Sequence, residues 1–388
     1  MISNTFPTLL GYLFFLVLMI LSYHLPWKKT NWFAVTSFTL LLGFRGNGID
    51  YFGYSAQFAE LIKLNYGLFD ERFYNAIIGY SKQNFEFLYL VIIKICKVFK
   101  WTNIPFFIFI AFCQIFFLDL FVQKFKSCKM KSFLIFYFFT TLMFVETFNV
   151  MRQLIAILIY INVVPYIIER DYKRYFIFTG LLSLVHSSSL ILLPLYFFIH
   201  YDFLKNKKIQ IGIYLVSVLF PTFFISKILY LFDSVFSLIS SVDVRMISYF
   251  NTDSEVVKSD NLEAKSVFVI AFRLLAFFFL WCNYEPIKVK WKEYGVIVYN
   301  LTFIGFVLQE FIFGISLQRL NYYFYYNSFI VLAMASCWVF SKENRNRVMK
   351  VYGIVIILLY IFWFFNSVSQ GAAGCAPYIL SKYLSILR

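Results

Sequence analysis

The chain has 388 residues, is 61% hydrophobic and 23% aromatic, and carries 35 Lys and Arg against 20 Asp and Glu, a formal net charge of +15. Soluble domains stay near half apolar, so this composition excludes an ordinary soluble enzyme and leaves a polytopic membrane protein. Its apolar runs are continuous rather than alternating, as from Ile104 to Phe121, which excludes a β-barrel and leaves helices.

In chain order, apolar segments near the spanning length of about 20 residues cover 7–25, 31–44, 85–99, 104–122, 132–148, 150–168, 175–199, 209–229, 266–283, 294–314, 321–340 and 350–367. They predict an all-α, polytopic integral membrane protein. It has about 11–12 transmembrane helices, some irregular or re-entrant, in a single membrane-embedded domain over 1–388. The first run begins near Pro7 without a basic leader or a small-residue cleavage site, so it reads as a retained span. Segment 31–44 is short for a span, and 175–199 is interrupted by His186-Ser187-Ser188-Ser189.

The first long polar stretch, 45–84, opens with Arg45, Gly46, Asn47, Gly48, Ile49, Asp50, Tyr51 and Tyr54. Its glycines permit a tight turn. A cation, a carboxylate and two ring platforms on one turn suit a sugar ligand; an interfacial aromatic belt has the same composition. Further along, Arg152-Gln153 precedes Ala156, a small residue one turn away that leaves room beside the guanidinium. Glu146 is close enough in sequence to neutralise Arg152, and a snorkelling arginine at a helix end is the plainer reading.

The His186–Ser189 run places four polar residues inside an apolar segment. It reads as a helix–helix polar contact or as a general base with hydrogen-bonding neighbours. The second long polar stretch, 230–265, begins with Leu231, Phe232, Val235, Phe236, Leu238 and Ile239 on one helical face, which suits a helix lying in the membrane interface. Last comes Gln318-Arg319-Leu320-Asn321-Tyr322-Tyr323, where Arg319 shares a face with Tyr322 and Tyr323. Arg273 and Glu310 lie inside spans and suit each other as partners, whereas Lys94 and Asp119 lie nearer helix ends and read as interfacial.

The lysines fall in short loops, which reads as positive-inside topology and attraction to anionic lipid rather than nucleic-acid binding. Loops 201–208, 284–293 and 341–350 are strongly basic and predict a cytoplasmic side. That places 230–265, Arg319 and 369–377 outside. Loops 26–30, 97–103, 123–131 and 169–174 are also basic, and simple alternation cannot put them all inside. A re-entrant hairpin at 175–199, broken at His186, brings 169–174 and 201–208 to one side and resolves part of the conflict. Six scattered cysteines and three separated histidines give no disulfide framework and no metal spacing. No phosphate-binding glycine loop precedes a helix, so no nucleotide site is legible and no cofactor is expected.

Taken together, these stretches resemble the EpsG-like family and the broader Wzy-type polymerases of O-antigen and other polysaccharide repeat units. The resemblance rests on Arg45, Gly48, Asp50, Tyr51 and Tyr54, then Arg152, Gln153 and Ala156, then His186 and Ser188, then Arg319, Tyr322 and Tyr323, and on Pro377-Tyr378. It implies a glycosyltransferase-type enzyme of the bacterial inner membrane, building lipopolysaccharide or exopolysaccharide. Its substrate is an undecaprenyl-diphosphate-linked glycan, joined at the outer face, and a chain-length regulator is an expected partner. On that reading Asp50, His186, Arg152 and Arg319 carry the chemistry, and Arg45, Tyr51, Tyr54, Gln153, Tyr322 and Tyr323 bind substrate. An already activated donor needs no nucleotide. Its departing diphosphate needs cations, and the acceptor hydroxyl needs a base.

Three other readings compete. A flippase for the same lipid-linked units also carries cations along its path, but no internal repeat is legible here. A lipid-phosphate-sugar glycosyltransferase would use the acidic pair Asp70-Glu71. A sugar O-acyltransferase would use a membrane histidine and leave the arginines without a purpose.

Overall fold

The computed structural model describes residues 2–25, 30–61, 87–100, 102–219, 267–311 and 315–379. Within them the protein is helical throughout, with no strand. Residues Asp70-Glu71, the amphipathic run from Leu231 and the rest of loop 230–265 lie outside the described residues.

The helices are α1 (Ile2–Ser22), α2 (Trp32–Gly43), α3 (Ile49–Leu61), α4 (Phe87–Val98), α5 (Asn103–Gln123), α6 (Cys128–Thr140) and α7 (Met143–Glu146). They continue as α8 (Met151–Val163), α9 (Pro165–Ile168), α10 (Tyr172–Leu182), α11 (Leu195–Phe198), α12 (Lys207–Leu219) and α13 (Val267–Cys282). The last four are α14 (Tyr284–Phe311), α15 (Ile315–Tyr325), α16 (Ser328–Val339) and α17 (Arg347–Ser369). Several start where a short polar residue precedes an apolar run. Asn31, Ser127, Asp171 and Asn346 each accept a hydrogen bond from the backbone N–H three residues on, at 3.0–3.4 Å. Each cap satisfies a donor that the helix start leaves open.

The roughly 11–12 spans expected from sequence lie only partly within the described residues. Four helices are long and apolar enough to cross a membrane: Thr5–Ser22, Asn103–Gln123, Met151–Ile168 and Arg347–Ser369. The pair Val267–Cys282 and Tyr284–Glu310, bent by 70°, makes a fifth among the described residues. Other apolar runs are divided by turns that hydropathy does not register. Run 132–148 breaks at Leu142, which is left-handed at φ 69°, so α6 stops after 13 residues. At 1.5 Å per residue it reaches only about 20 Å, short of a bilayer core of about 30 Å. Run 321–340 breaks between α15 and α16, where Asn327 Nδ2 donates to the Tyr323 carbonyl at 2.7 Å.

Segment 172–199 doubles back. The Tyr175 hydroxyl donates to the Leu192 carbonyl at 2.6 Å, and the Tyr175 and Phe176 rings pack on Tyr196 and Phe197. The hairpin tip is the Ser183–His186 turn, so both ends of the segment lie on one side.

That side collects most of the basic turns. Arg170 pairs with Glu293 at 2.7 Å, Lys288 with Asp202, and Lys290 with Glu343 at 3.9 Å. Lys129 Nζ donates to the Phe340 carbonyl at 2.6 Å. The turn after α1 joins them through His24 and Ser132, 2.9 Å apart. The exception is 97–103. Asn103 Nδ2 donates to Ser55 Oγ at 3.0 Å, which sets this loop at the opposite end, beside α3. Buried desolvation raises the Asp202 carboxyl, but hydrogen bonds from Lys288 and Tyr284 outweigh it and hold the group below the usual carboxylate range.

The charged residues within apolar segments find different surroundings. Arg273 and Glu310 do pair, at 3.4 Å. Asp119 lies near the end of α5, buried by protein rather than open to solvent, and accepts from the Tyr23 hydroxyl at 2.8 Å, the Asn31 N–H at 3.1 Å and Gln123 Nε2 at 3.4 Å. A buried carboxylate is tolerable only with such donors, and here it ties α1, the α1–α2 turn and α5 together. Lys94 is partly buried as well. Helices α14 and α15 approach closely because Gly305 faces the Tyr325 backbone with no room for a Cβ.

Candidate functional site

The site is built on the turn between α2 and α3. Gly48 sits at φ +124°, and a Cβ there would fall 2.5 Å from the Phe148 carbonyl oxygen, so only glycine fits. The turn is held from above by segment 371–379. Asn47 Nδ2 donates to the Gly374 and Pro377 carbonyls at 2.8 and 3.1 Å, and the Gly46 N–H donates to the Ile379 carbonyl at 2.6 Å. That segment is itself fixed, because the Tyr12 hydroxyl donates to the Cys375 carbonyl at 2.6 Å and the Tyr378 hydroxyl to the Leu41 carbonyl at 2.5 Å. The strapped turn presents Asp50 in the first turn of α3, where the helix dipole favours a carboxylate.

Arg45 lies beneath that turn, 1% exposed. Its guanidinium donates to the Leu42 carbonyl at 3.3 Å and to Met151 Sδ, between the rings of Phe107 and Phe148 at 5.6 and 5.1 Å. Arg152, at the start of α8, is held from the side. Its Nε donates to the Tyr54 hydroxyl at 2.6 Å, and its guanidinium lies 5.1 and 5.0 Å from the Tyr54 and Tyr89 ring centroids. Beside it, Gln153 Nε2 donates to the Arg319 carbonyl, which brings α15 against α8. His186 stands at the tip of the re-entrant hairpin in extended backbone, φ −157°, and Ser188 Oγ donates to the Tyr323 hydroxyl at 3.3 Å.

Exposure divides these residues in two. Asp50, Arg152, His186, Ser188 and Arg319 keep part of their surface open, whereas Arg45, Tyr51, Tyr54, Gln153, Tyr322 and Tyr323 are buried. The first set makes up the partly open face around Asp50, the candidate cleft, and the second packs behind it. Tyr51 stacks on Phe107 at 4.8 Å and Tyr54 on Phe106 at 6.2 Å, so these rings pack against helices here. Asp50 stands within electrostatic range of Arg319, Arg152, Arg45 and His186. Burial pushes its carboxyl above the usual range, and those cations pull against the rise. Among the described residues Arg319 Nε has no hydrogen-bond partner. A buried charged donor in that state is costly, and an anion would satisfy it.

The sequence offers Glu146 as a candidate to neutralise Arg152. Its oxygens accept from Asn149 Nδ2 at 3.1 Å and the Tyr322 hydroxyl at 3.3 Å, and the charges acting on it include Arg319 and Asp50. Tyr89, which walls Arg152, and Met151, which receives Arg45, carried no signal in the sequence. Tyr89 is one aromatic among many in an apolar run, and Met151 is an ordinary core residue type.

Comparison with known proteins returns one finding. The EpsG family model matches residues 28–380, most of the chain, and the chain therefore belongs to the EpsG family of glycosyltransferase-like polysaccharide polymerases, a family of multi-pass membrane proteins. No curated protein and no solved structure matches.

Proposed function

We propose that this EpsG-family protein polymerises oligosaccharide repeat units carried on undecaprenyl diphosphate at the outer face of the bacterial inner membrane. The observation that carries the reading is the convergence of Asp50, Arg152, Arg319 and His186 on one cleft, from four segments far apart in sequence. A carboxylate ringed by cations matches a reaction that removes one proton and expels one diphosphate.

The step transfers the growing chain to the non-reducing end of a new unit. The acceptor hydroxyl oxygen attacks the anomeric carbon of the donor chain, and its proton passes to Asp50 or His186. The carbon–oxygen bond to the diphosphate breaks, and the bonding pair leaves with the lipid diphosphate. Arg152 and Arg319 meet that developing charge as preorganised donors. Tyr54 and Tyr89 support this by fixing Arg152, and Gln153 by fixing the backbone at Arg319. Arg45, buried below, contributes field rather than contact. The basic turns gathered at the opposite end support a cytoplasmic placement of that end, and hence an outward cleft.

The test is the surface glycan ladder of a strain lacking this gene, beside the complemented strain. The polymerase reading predicts lipid core bearing a single repeat unit and no ladder. Loss of surface units, with lipid-linked units accumulating inside, would assign the chain to transport instead.

A further inference from the structure

We propose that Glu146 is a specificity residue for the acceptor glycan, its carboxylate accepting hydrogen bonds from sugar hydroxyls in the cleft. This rests on the polymerase reading above and extends it to a residue to which that chemistry assigns no role. Glu146 closes α7, in the turn between α6 and α8, and keeps part of its surface open, as do Asp50, Arg152 and Arg319. Its two oxygens each accept one bond, from Asn149 and Tyr322. A carboxylate offers roughly four acceptor positions, so acceptor capacity remains after the protein has oriented the group.

The cations of the cleft, Arg152 and Arg319, are donors only. A diphosphate is acceptor-only and uses such donors. A glycan also presents hydroxyl donors, which need acceptors. Asp50 and Glu146 are the carboxylates that the cleft brings together around Arg319. With Asp50 engaged by the reacting hydroxyl, Glu146 is available for a neighbouring one. A ligand hydroxyl held by an acceptor fixed in place is discriminated strongly against its absence.

The two halves of the substrate separate the claims. One probe is the repeat-unit oligosaccharide released from its lipid by mild acid, followed by saturation-transfer NMR on the purified protein. The other is undecaprenyl diphosphate without sugar. Glu146→Gln is expected to weaken the free glycan about fivefold, since a charge-assisted bond is roughly twice as strong as a neutral one, and to leave the lipid diphosphate unchanged. Unchanged lipid binding also shows that the variant is folded. Should Glu146→Gln not fold, Glu146→Asp keeps the charge and withdraws it by one methylene, and weaker glycan binding is again expected. Wild-type glycan affinity in the folded variant, or no glycan binding by the wild type, overturns the proposal. If Arg152→Ala and Arg319→Ala both retain full lipid-diphosphate affinity, the polymerase reading itself fails, whatever Glu146 does.

Discussion

The roles of single residues follow from what each side chain touches. Arg152 and Arg319 line the cleft, and replacing either with alanine is expected to lower polymerisation about a hundredfold or more, in line with the loss of one preorganised transition-state donor; the rate of ladder growth checks it. Arg45→Ala acts differently. It removes a buried cation from between two rings, a contact worth roughly 2 kcal/mol or more when desolvated, so it should lower the melting temperature as well as activity. Asp50 gives a pH prediction. Burial raises its carboxyl and Arg319 is the strongest force against the rise, so Arg319→Gln should raise it further. A base is lost as pH falls through its pKa, so the acid limb of the pH–rate profile should move to higher pH in that variant. An unmoved limb would remove Asp50 as the base. The residue types at the site were legible because charge inside apolar sequence is costly. Their division into lining and backing was not, since Tyr54 and Tyr322 differ from groove-lining tyrosines only in what packs on them.

At the scale of elements, the site depends on two irregular devices. The first is the strap of 371–379 over the 44–49 turn. Asn47→Ala removes the side-chain donor to the partly exposed Gly374 and Pro377 carbonyls, at about 0.5–1.5 kcal/mol for each bond lost. Gly48→Ala is expected to be worse, because its Cβ meets a backbone oxygen that cannot move aside. Expression and thermal stability in detergent measure both, and a Gly48→Ala protein with wild-type stability would contradict the strap. The second device is the 172–199 hairpin with His186 at its tip. The interruption by His186 and three serines announced it in the sequence, and it was one way to reconcile part of the charge pattern of the loops on either side. The break at Leu142 gave no such notice. A leucine in left-handed backbone carries no composition signal, so apolar run 132–148 resembled one span and became two helices.

Across the whole molecule, sequence settled the class and left the topology half determined. Basic loops 26–30, 97–103, 123–131 and 169–174 conflicted because charge counting treats every positive loop alike. The fold places the start of α5 beside α3 through the Asn103–Ser55 contact, away from the end where 123–131 and 169–174 gather. Cysteine substitution followed by a membrane-impermeant thiol reagent should label position 100 from outside the cell, and position 205 only after permeabilisation. The central claim is that Asp50, Arg152 and Arg319 act together on a lipid-linked glycan. Its most direct measurement is polymerisation by the purified protein in liposomes, supplied with the lipid-linked repeat unit isolated from cells lacking the gene. The account predicts a ladder from the wild type, and none from Asp50→Asn or the Arg152→Ala and Arg319→Ala pair, all three folding normally. A full ladder from those folded variants would contradict it.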